Sequence, residues 1–306
     1  MKKAEIDRMI ALERKKADTS LTDREEERLK VLHAKKEKQF EGEMTCPFRT
    51  DTPLPTCTKP GGVCSLRVYS DVDGTISPVD GERGMIRAIC PYRFHQDNTV
   101  FQHIGDRLLN DGTPVQAGEV GFLESTGNLD SAPGEDVGRI DMILVQSNAS
   151  EASSLNWAAV EIQAVYFSGK EMKIEFDDLI KRGGSAAMPV EARRPDYRSS
   201  GPKRLMPQLQ IKVPTLRRWG KKMAIVVDVP FFRSMGQMRP VNDISNSDIV
   251  WILVDFVKKP GSDIAHLEVV EEFATTLESA IEGLTGGVAV PLGEFEARII
   301  GKIASP

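Results

Sequence analysis

A chain of 306 residues and 33.8 kDa, 40% hydrophobic and 28% charged, is long enough for one large or two modest domains with a sizeable core. No apolar run approaches the roughly 18 residues a membrane helix needs, which excludes an integral helical membrane protein. The opening Met1-Lys2-Lys3-Ala4-Glu5-Ile6-Asp7 has no apolar signal core, so the reducing cytoplasm is the expected compartment. The net charge of -5 conceals an uneven distribution: Lys181 to Lys222 carries twelve Lys and Arg against Glu191 and Asp196, whereas Asp243 to Glu296 carries eleven acids against Lys258 and Lys259. One segment is built to meet negative charge and the other to stay in water.

Residues 1–43 read as an arm of two charged helices. Thr22-Asp23-Arg24-Glu25 has the form of a capping box, which starts the second helix near Asp23. Its apolar positions, Leu29, Val31 and Leu32, are sparse, which suits a peripheral arm, a dimer contact or a solvated helix.

Residues 44–94 change to Pro, Gly, Thr and Cys with little periodicity, a stretch that needs a staple. All four cysteines fall here: Cys46, Cys57, Cys64 and Cys90. The first and last open similar turns, Cys46-Pro47-Phe48-Arg49 and Cys90-Pro91-Tyr92-Arg93. In a reducing compartment such cysteines suit a metal better than disulfides, and four thiolates in tetrahedral array suit zinc or iron alike. Four independent buried thiols are the alternative.

From 95 to 306 the pattern is α/β. The spacing of Val100, Ile104 and Leu108 predicts a helix over Thr99–Leu109 stopped by Asn110-Asp111-Gly112. Strands are expected over Val137–Val145 and Ala158–Phe167, joined by a polar hairpin loop from Gln146 to Asn156. The continuous apolar runs Met223–Val229 and Ile249–Val257 read as strands covered on both faces. The stripe Phe273, Leu277, Ile281 predicts a helix from about Glu271 to Leu284, ended by Gly286-Gly287.

Chemistry is expected on the hairpin. Glu161 and Gln163 are two apart on one strand and share a face, and the neighbouring strand can set Asp141 beside them. Glu161 lies within Trp157-Ala-Ala-Val-Glu-Ile-Gln-Ala-Val-Tyr-Phe167, too apolar for an exposed edge, so its charge must be paired. Two converging carboxylates call for a hard divalent ion, magnesium above all. Gln163 could orient a water or a phosphate oxygen but carries no charge, and Glu124 could add a third carboxylate from a preceding strand. The arginines of Arg193-Arg194-Pro195-Asp196-Tyr197-Arg198-Ser199-Ser200-Gly201-Pro202-Lys203-Arg204, a loop-like stretch, can bond guanine in the major groove, with Lys203 and its neighbours on phosphates. Behind it Leu209, Val213 and Leu216 predict a helix packed on the core, with Lys212, Arg217 and Arg218 as phosphate contacts at most. The histidines sit in no ligand pair, and the absence of G-x-x-x-x-G-K-[ST] argues against a nucleotide cofactor.

The layout resembles the NotI-type restriction endonucleases, a branch of the PD-(D/E)xK superfamily with Gln in place of the usual Lys and a four-cysteine iron site ahead of the core. The resemblance rests on the four cysteines, Gly-Arg-Ile-Asp141, Val-Glu161-Ile-Gln163-Ala-Val-Tyr-Phe-Ser-Gly169, and Arg217-Arg218-Trp219-Gly220-Lys221-Lys222 leading into Met-Ala-Ile-Val-Val-Asp228. It implies a prokaryotic type II enzyme that uses magnesium on Asp141 and Glu161, with Gln163 as third active-site residue. It further implies iron on the cysteines and, as a homodimer, cleavage of double-stranded DNA at a GC-rich palindrome. Glu151, ten residues before Glu161, is the competing partner for Glu161; Asp141 is preferred because it lies on a credible strand. A noncatalytic DNA-binding protein with a structural metal site is the rival reading.

Overall fold

The computed structural model describes the chain except residues 1–7, 10, 14, 17–19, 41–44, 50–54, 58, 60–61, 129, 148–154, 170–171, 184, 186, 190–192, 263, 288 and 305–306. It divides into two units, Met1–Gly62 and Val63–Pro306, with the division between Cys57 and Cys64.

In the first unit helical positions recur between 8 and 16 and again in α1, Asp23–Phe40. The capping box forms on its carboxylate side: Glu25 Oε2 accepts from the Thr22 backbone N–H (3.0 Å) and from the Thr22 hydroxyl (2.9 Å). Lys15 also reaches Glu25 at 2.6 Å, and these contacts lower the Glu25 pKa to about 2. Leu29 and Leu32 bury against Met9, whereas Val31 points outward. The unit therefore has a small core of its own.

The second unit opens with short pairs: β1 (Ser65–Leu66), β2 (Tyr69–Val72), β3 (Thr75–Pro78) and β4 (Arg87–Ala88), with β1 against β4 and β2 against β3. A 3-10 turn, Pro91–Asn98, leads into α2, Thr99–Leu109, whose bounds match the sequence expectation; Asn110 takes a left-handed conformation (φ 52°) and ends it. Next come β5 (Val115–Glu124), β6 (Asp136–Val145), β7 (Trp157–Ile162) and β8 (Tyr166–Phe167), then α3 (Lys173–Lys181) and β9 (Pro195–Asp196). The expected single strand Ala158–Phe167 is thus two, broken after Ile162. The arginine-bearing stretch expected as loop is instead helical from Tyr197: α4 (Tyr197–Ser200), a π turn over Gly201–Leu205 and α5 (Met206–Arg218) run on without interruption. Asp196 starts that run by accepting the Ser199 N–H at 3.0 Å, and Pro202 and Pro207 lie within it, near the starts of the π turn and of α5.

The chain closes with β10 (Met223–Asp228), α6 (Val229–Arg233), β11 (Ile249–Lys258), β12 (Ala265–Thr275), α7 (Leu277–Thr285) and α8 (Leu292–Ala304). The helix expected from Glu271 starts six residues later. Glu271 to Thr275 belong to β12, Phe273 stacks on Trp251 of β11, and Thr276 caps α7 by accepting the Ser279 N–H. No helix among the described residues is long and apolar enough to cross a membrane.

Six strands form one mixed sheet in the order β12-β11-β10-β7-β6-β5. Strand β10 runs parallel to β7 and β11, and the remaining pairs are antiparallel. Because side chains alternate, Ile143, Ala159, Ile225 and Trp251 face one side, covered by Leu209, Val213 and Leu216 of α5 and by Leu277 and Leu284 of α7. Leu144, Ala158, Val160, Ala224 and Ile252 face the other, under Phe94 and α2. Both faces are therefore dry over the central strands, which explains their unbroken apolar sequences.

Asp228, at the end of β10, is fully buried. Its carboxylate accepts the N–H groups of Phe231 (2.9 Å) and Ala88 (3.0 Å), so it starts α6 and docks β4 on the sheet. Burial outweighs these bonds and pushes its pKa up to about 7. An aspartate whose folded pKa lies above its unfolded value of about 4 holds its proton more tightly in the fold. Its stabilising contribution is full below about pH 4 and is lost as pH rises through about 7. Wild-type melting temperature is therefore expected to fall more between about pH 5 and about pH 8 than that of Asp228→Asn, which melts lower overall because its single amide oxygen cannot take both N–H groups. Equal pH slopes for the two proteins would contradict this assignment.

Candidate active site

Glu161 is an acid at a core position. It lies on central strand β7, paired with Ile225 of β10, and its side chain is 2% exposed. The register pairs Met142 with Val160, so the next step along the two strands sets Asp141 opposite Glu161 on the face covered by α5. On that helix Lys212 falls at apolar spacing between Leu209 and Leu216 and is 5% exposed. Its ammonium donates to Glu161 Oε2 at 2.7 Å and to Asp141 Oδ1 at 3.2 Å. Asp141 keeps 58% of its side chain exposed, so the cluster is closed by Lys212 on the inside and open at Asp141.

Burial is the main cause that raises the Glu161 pKa to about 7, with Lys212 opposing it and the neighbouring Asp141 adding to it. Two carboxylates converging with one of them buried demand positive charge.

The residues expected at the site divide as follows. Asp141 and Glu161 are brought together. Gln163 follows β7 by one residue; its N–H bonds Val226 O at 3.1 Å and its side-chain amide donates to Ala164 O at 2.7 Å, so it borders the cluster with its amide turned to its own chain. Glu124 is not brought in. Its partner on β6 is Asp136, five residues and so about 17 Å along the strand from Asp141. The position opposite Asp141 on β5 is Glu119, which takes a left-handed conformation (φ 43°) and contacts Arg139 at 3.4 Å. Glu151 lies outside the described residues.

Lys212 was expected at most on phosphate and is instead the buried partner of both carboxylates. A lysine on the apolar stripe of a helix was the sequence signal for it. Arg217, also expected near phosphate, is clamped by Asp248 (2.8 Å) and Glu278 (3.1 Å), which raise its pKa.

Of the expected DNA contacts, Arg193 is a correction. Its guanidinium is 6% exposed and bound through two nitrogens to Glu175 of α3 at 2.8–2.9 Å, which leaves it no free edge for a base. It packs so tightly on Gly169 (φ 108°) that a Cβ there would lie 2.1 Å from Nη1, which explains the glycine. Arg194, Arg198, Lys203 and Arg204 are exposed, and the Arg204 guanidinium lies 3.9 Å over the Tyr166 ring.

Cys46 and Cys57 lie in the first unit and Cys64 and Cys90 in the second, none in a disulfide. Cys64 and Cys90 flank the β1–β4 pair, where Cys64 O accepts the Ile89 N–H at 2.9 Å. Burial pushes the Cys64 thiol pKa up, and charge on Cys90 adds to that shift. Among the described residues no group of three or more His, Cys, Asp or Glu side chains is placed to hold a metal ion.

No curated protein matches the chain. The family model for restriction endonuclease NotI matches residues 30–266, a span that contains the carboxylate–lysine cluster, the four cysteines and the arginine-bearing run. The chain belongs to the NotI restriction endonuclease family, whose activity is site-specific cleavage of double-stranded DNA.

Proposed function

We propose that the protein is a magnesium-dependent type II enzyme with a PD-(D/E)xK-like core, which hydrolyses phosphodiester bonds at a GC-rich palindrome. The observation that carries this reading is the convergence of a buried and an exposed carboxylate, Glu161 and Asp141, on a single cation, the Lys212 ammonium. That arrangement fits a divalent ion, because the donors are hard oxygens on adjacent strands and the site already requires positive charge. Asp141 and Glu161 would hold the ion, and Gln163 would orient a water or phosphate oxygen beside it. Bound there, magnesium would stabilise charge on the leaving oxygen and lower the pKa of the attacking water. Incubation with mixed plasmid DNA and magnesium tests the reading: discrete fragments with uniform ends require the enzyme. Specific binding without cleavage would instead identify a noncatalytic DNA-binding protein.

Recognition is assigned to the run from Arg194 to Arg204, now without Arg193. Single replacement of Arg194 or Arg198 by Ala is expected to cost about 1–3 kcal/mol at the specific site if the residue reads a guanine. A uniform loss on all sequences, with a shallower salt dependence, would mark it as a phosphate contact.

A palindromic site calls for a second copy, and α8 offers a surface for one. Leu292, Phe295, Ile299, Ile300 and Ile303 are exposed along it. Its acids, Glu294 and Glu296, precede its bases, Arg298 and Lys302. Antiparallel pairing about a two-fold axis sets Glu294 of one copy against Lys302 of the other, while the stripes bury each other.

The four cysteines complete the proposal as a site for iron, or zinc, that braces the segment around β1 and β4. The Cys64–Cys90 pair and the resemblance of the whole cysteine set support it.

A further inference from the structure

An E-x-Q strand leaves a phosphodiesterase centre without a cationic side chain of its own, since the Gln163 amide is neutral. Lys212 brings one from the opposite layer. Burial of an ammonium among Leu209, Val213 and Leu216 is costly unless it is paired, and here both metal-ligand carboxylates pair it. The pairing also creates a competition. An ammonium held 2.7 Å and 3.2 Å from two carboxylate oxygens stands where a divalent ion bound to the same oxygens would repel it.

We propose that Lys212 is a catalytic residue of the cleavage centre: it competes with the divalent ion for Glu161 and Asp141, and turns its ammonium to the scissile phosphate when ion and DNA are bound. The proposal rests on the nuclease reading above. Three observations beyond the ion pair support it. The exposed side of Asp141 gives the phosphate its approach, with Lys212 forming the inner wall, so the phosphate arrives within reach of the flexible lysine stem. Gln163 is engaged with Ala164 O and offers no charge that would make Lys212 redundant. Lys212 also lies on the same helical run as Arg198, Lys203 and Arg204, with Lys203 and Arg204 inside the π turn at Gly201–Leu205, so the run that carries the exposed basic side chains also carries the buried one.

The test uses Lys212→Met, which fits the apolar surroundings, and Lys212→Gln, which keeps hydrogen-bond donors for both carboxylates without charge. Manganese binding to the DNA-free protein is measured by titration, and single-turnover cleavage is measured at saturating magnesium. Both variants are expected to bind manganese at least about tenfold more tightly than wild type, because the competing charge is gone. Both are expected to cleave about 10²–10³-fold more slowly, because the phosphate has lost its cation. DNA binding in calcium should be retained. A merely structural lysine would not produce tighter metal binding together with slower cleavage. Unchanged or weaker manganese binding in folded variants, or cleavage at the wild-type rate, overturns the proposal. Wild-type protein that does not cleave at all would instead overturn the nuclease reading, so the two failures are distinguishable.

Discussion

Replacement of either site carboxylate is expected to abolish cleavage, by at least about 10³-fold, while specific DNA binding in calcium persists, since each change removes a ligand of the proposed magnesium site and leaves the arginine-bearing run in place. The choice of substitution matters. Glu161→Ala would remove the buried partner of the Lys212 ammonium and leave it the longer contact to the largely exposed Asp141, and breaking a buried pair in this way costs about 3–5 kcal/mol, enough to unfold a marginal protein and mimic a catalytic defect. Glu161→Gln keeps an acceptor for Lys212 and the shape of the site, so lost cleavage with an unchanged melting profile isolates the chemistry. Asp141→Ala is safer, because Asp141 is largely exposed and Lys212 retains Glu161. Normal cleavage by Asp141→Ala combined with inactivity of Glu151→Ala would transfer the metal-ligand role from Asp141 to Glu151.

The sequence revealed the parts of this fold that local physics determines. Helix α2 is legible because Val100 and Ile104 repeat at helical spacing and Asn110 tolerates the left-handed turn that stops it. Strands β10 and β11 were readable because both faces are dry. The start of α7 was misplaced because Phe273, Leu277 and Ile281 happen to fall four apart across a strand–helix junction. The cap at Thr276 was the overlooked signal. The stretch from Arg193 to Arg204 is loop-like in sequence, yet Asp196 caps a helix that starts at Tyr197 and continues through Pro202.

The site was half legible for a related reason. Asp141 and Glu161 are neighbours through the register of one hairpin, and alternation predicts their shared face. The Lys212 contact spans 51 residues and joins the helical layer to the sheet, so no local pattern places it. Only its occurrence on an apolar stripe hinted that it would be buried. Arg193 and Glu124 failed for the same cause. The partner of Arg193, Glu175, sits on a helix that the sequence did not announce, and the distance from Glu124 to Asp141 depends on a bulged register.

Loss of a single cysteine is the other change expected to act strongly. Purified wild-type protein should hold one ion per chain, and Cys46→Ser, Cys57→Ser, Cys64→Ser or Cys90→Ser should each lose most of it, because a thiolate site binds through all its ligands together. A red colour with elemental iron identifies the ion, whereas a colourless protein with zinc identifies the alternative. The local consequence follows from how the second-unit cysteines are mounted. Cys64 and Cys90 bracket β1 and β4, which contribute few apolar groups, and Ala88 of β4 bonds both Asp228 and the Val165 N–H just beyond Gln163. Without the ion, Ile89, Ala88 and Val165 amides should exchange hydrogen at least about tenfold faster, while the amides of β10 and β11 keep their protection. Cleavage should weaken less than it does on loss of Glu161, because the carboxylate pair is held by the sheet and not by the cysteines. Four thiols that alkylate readily in the native protein, or a metal-free wild type with full activity, would eliminate the metal module and leave β4 held by β1, Val165 and Asp228.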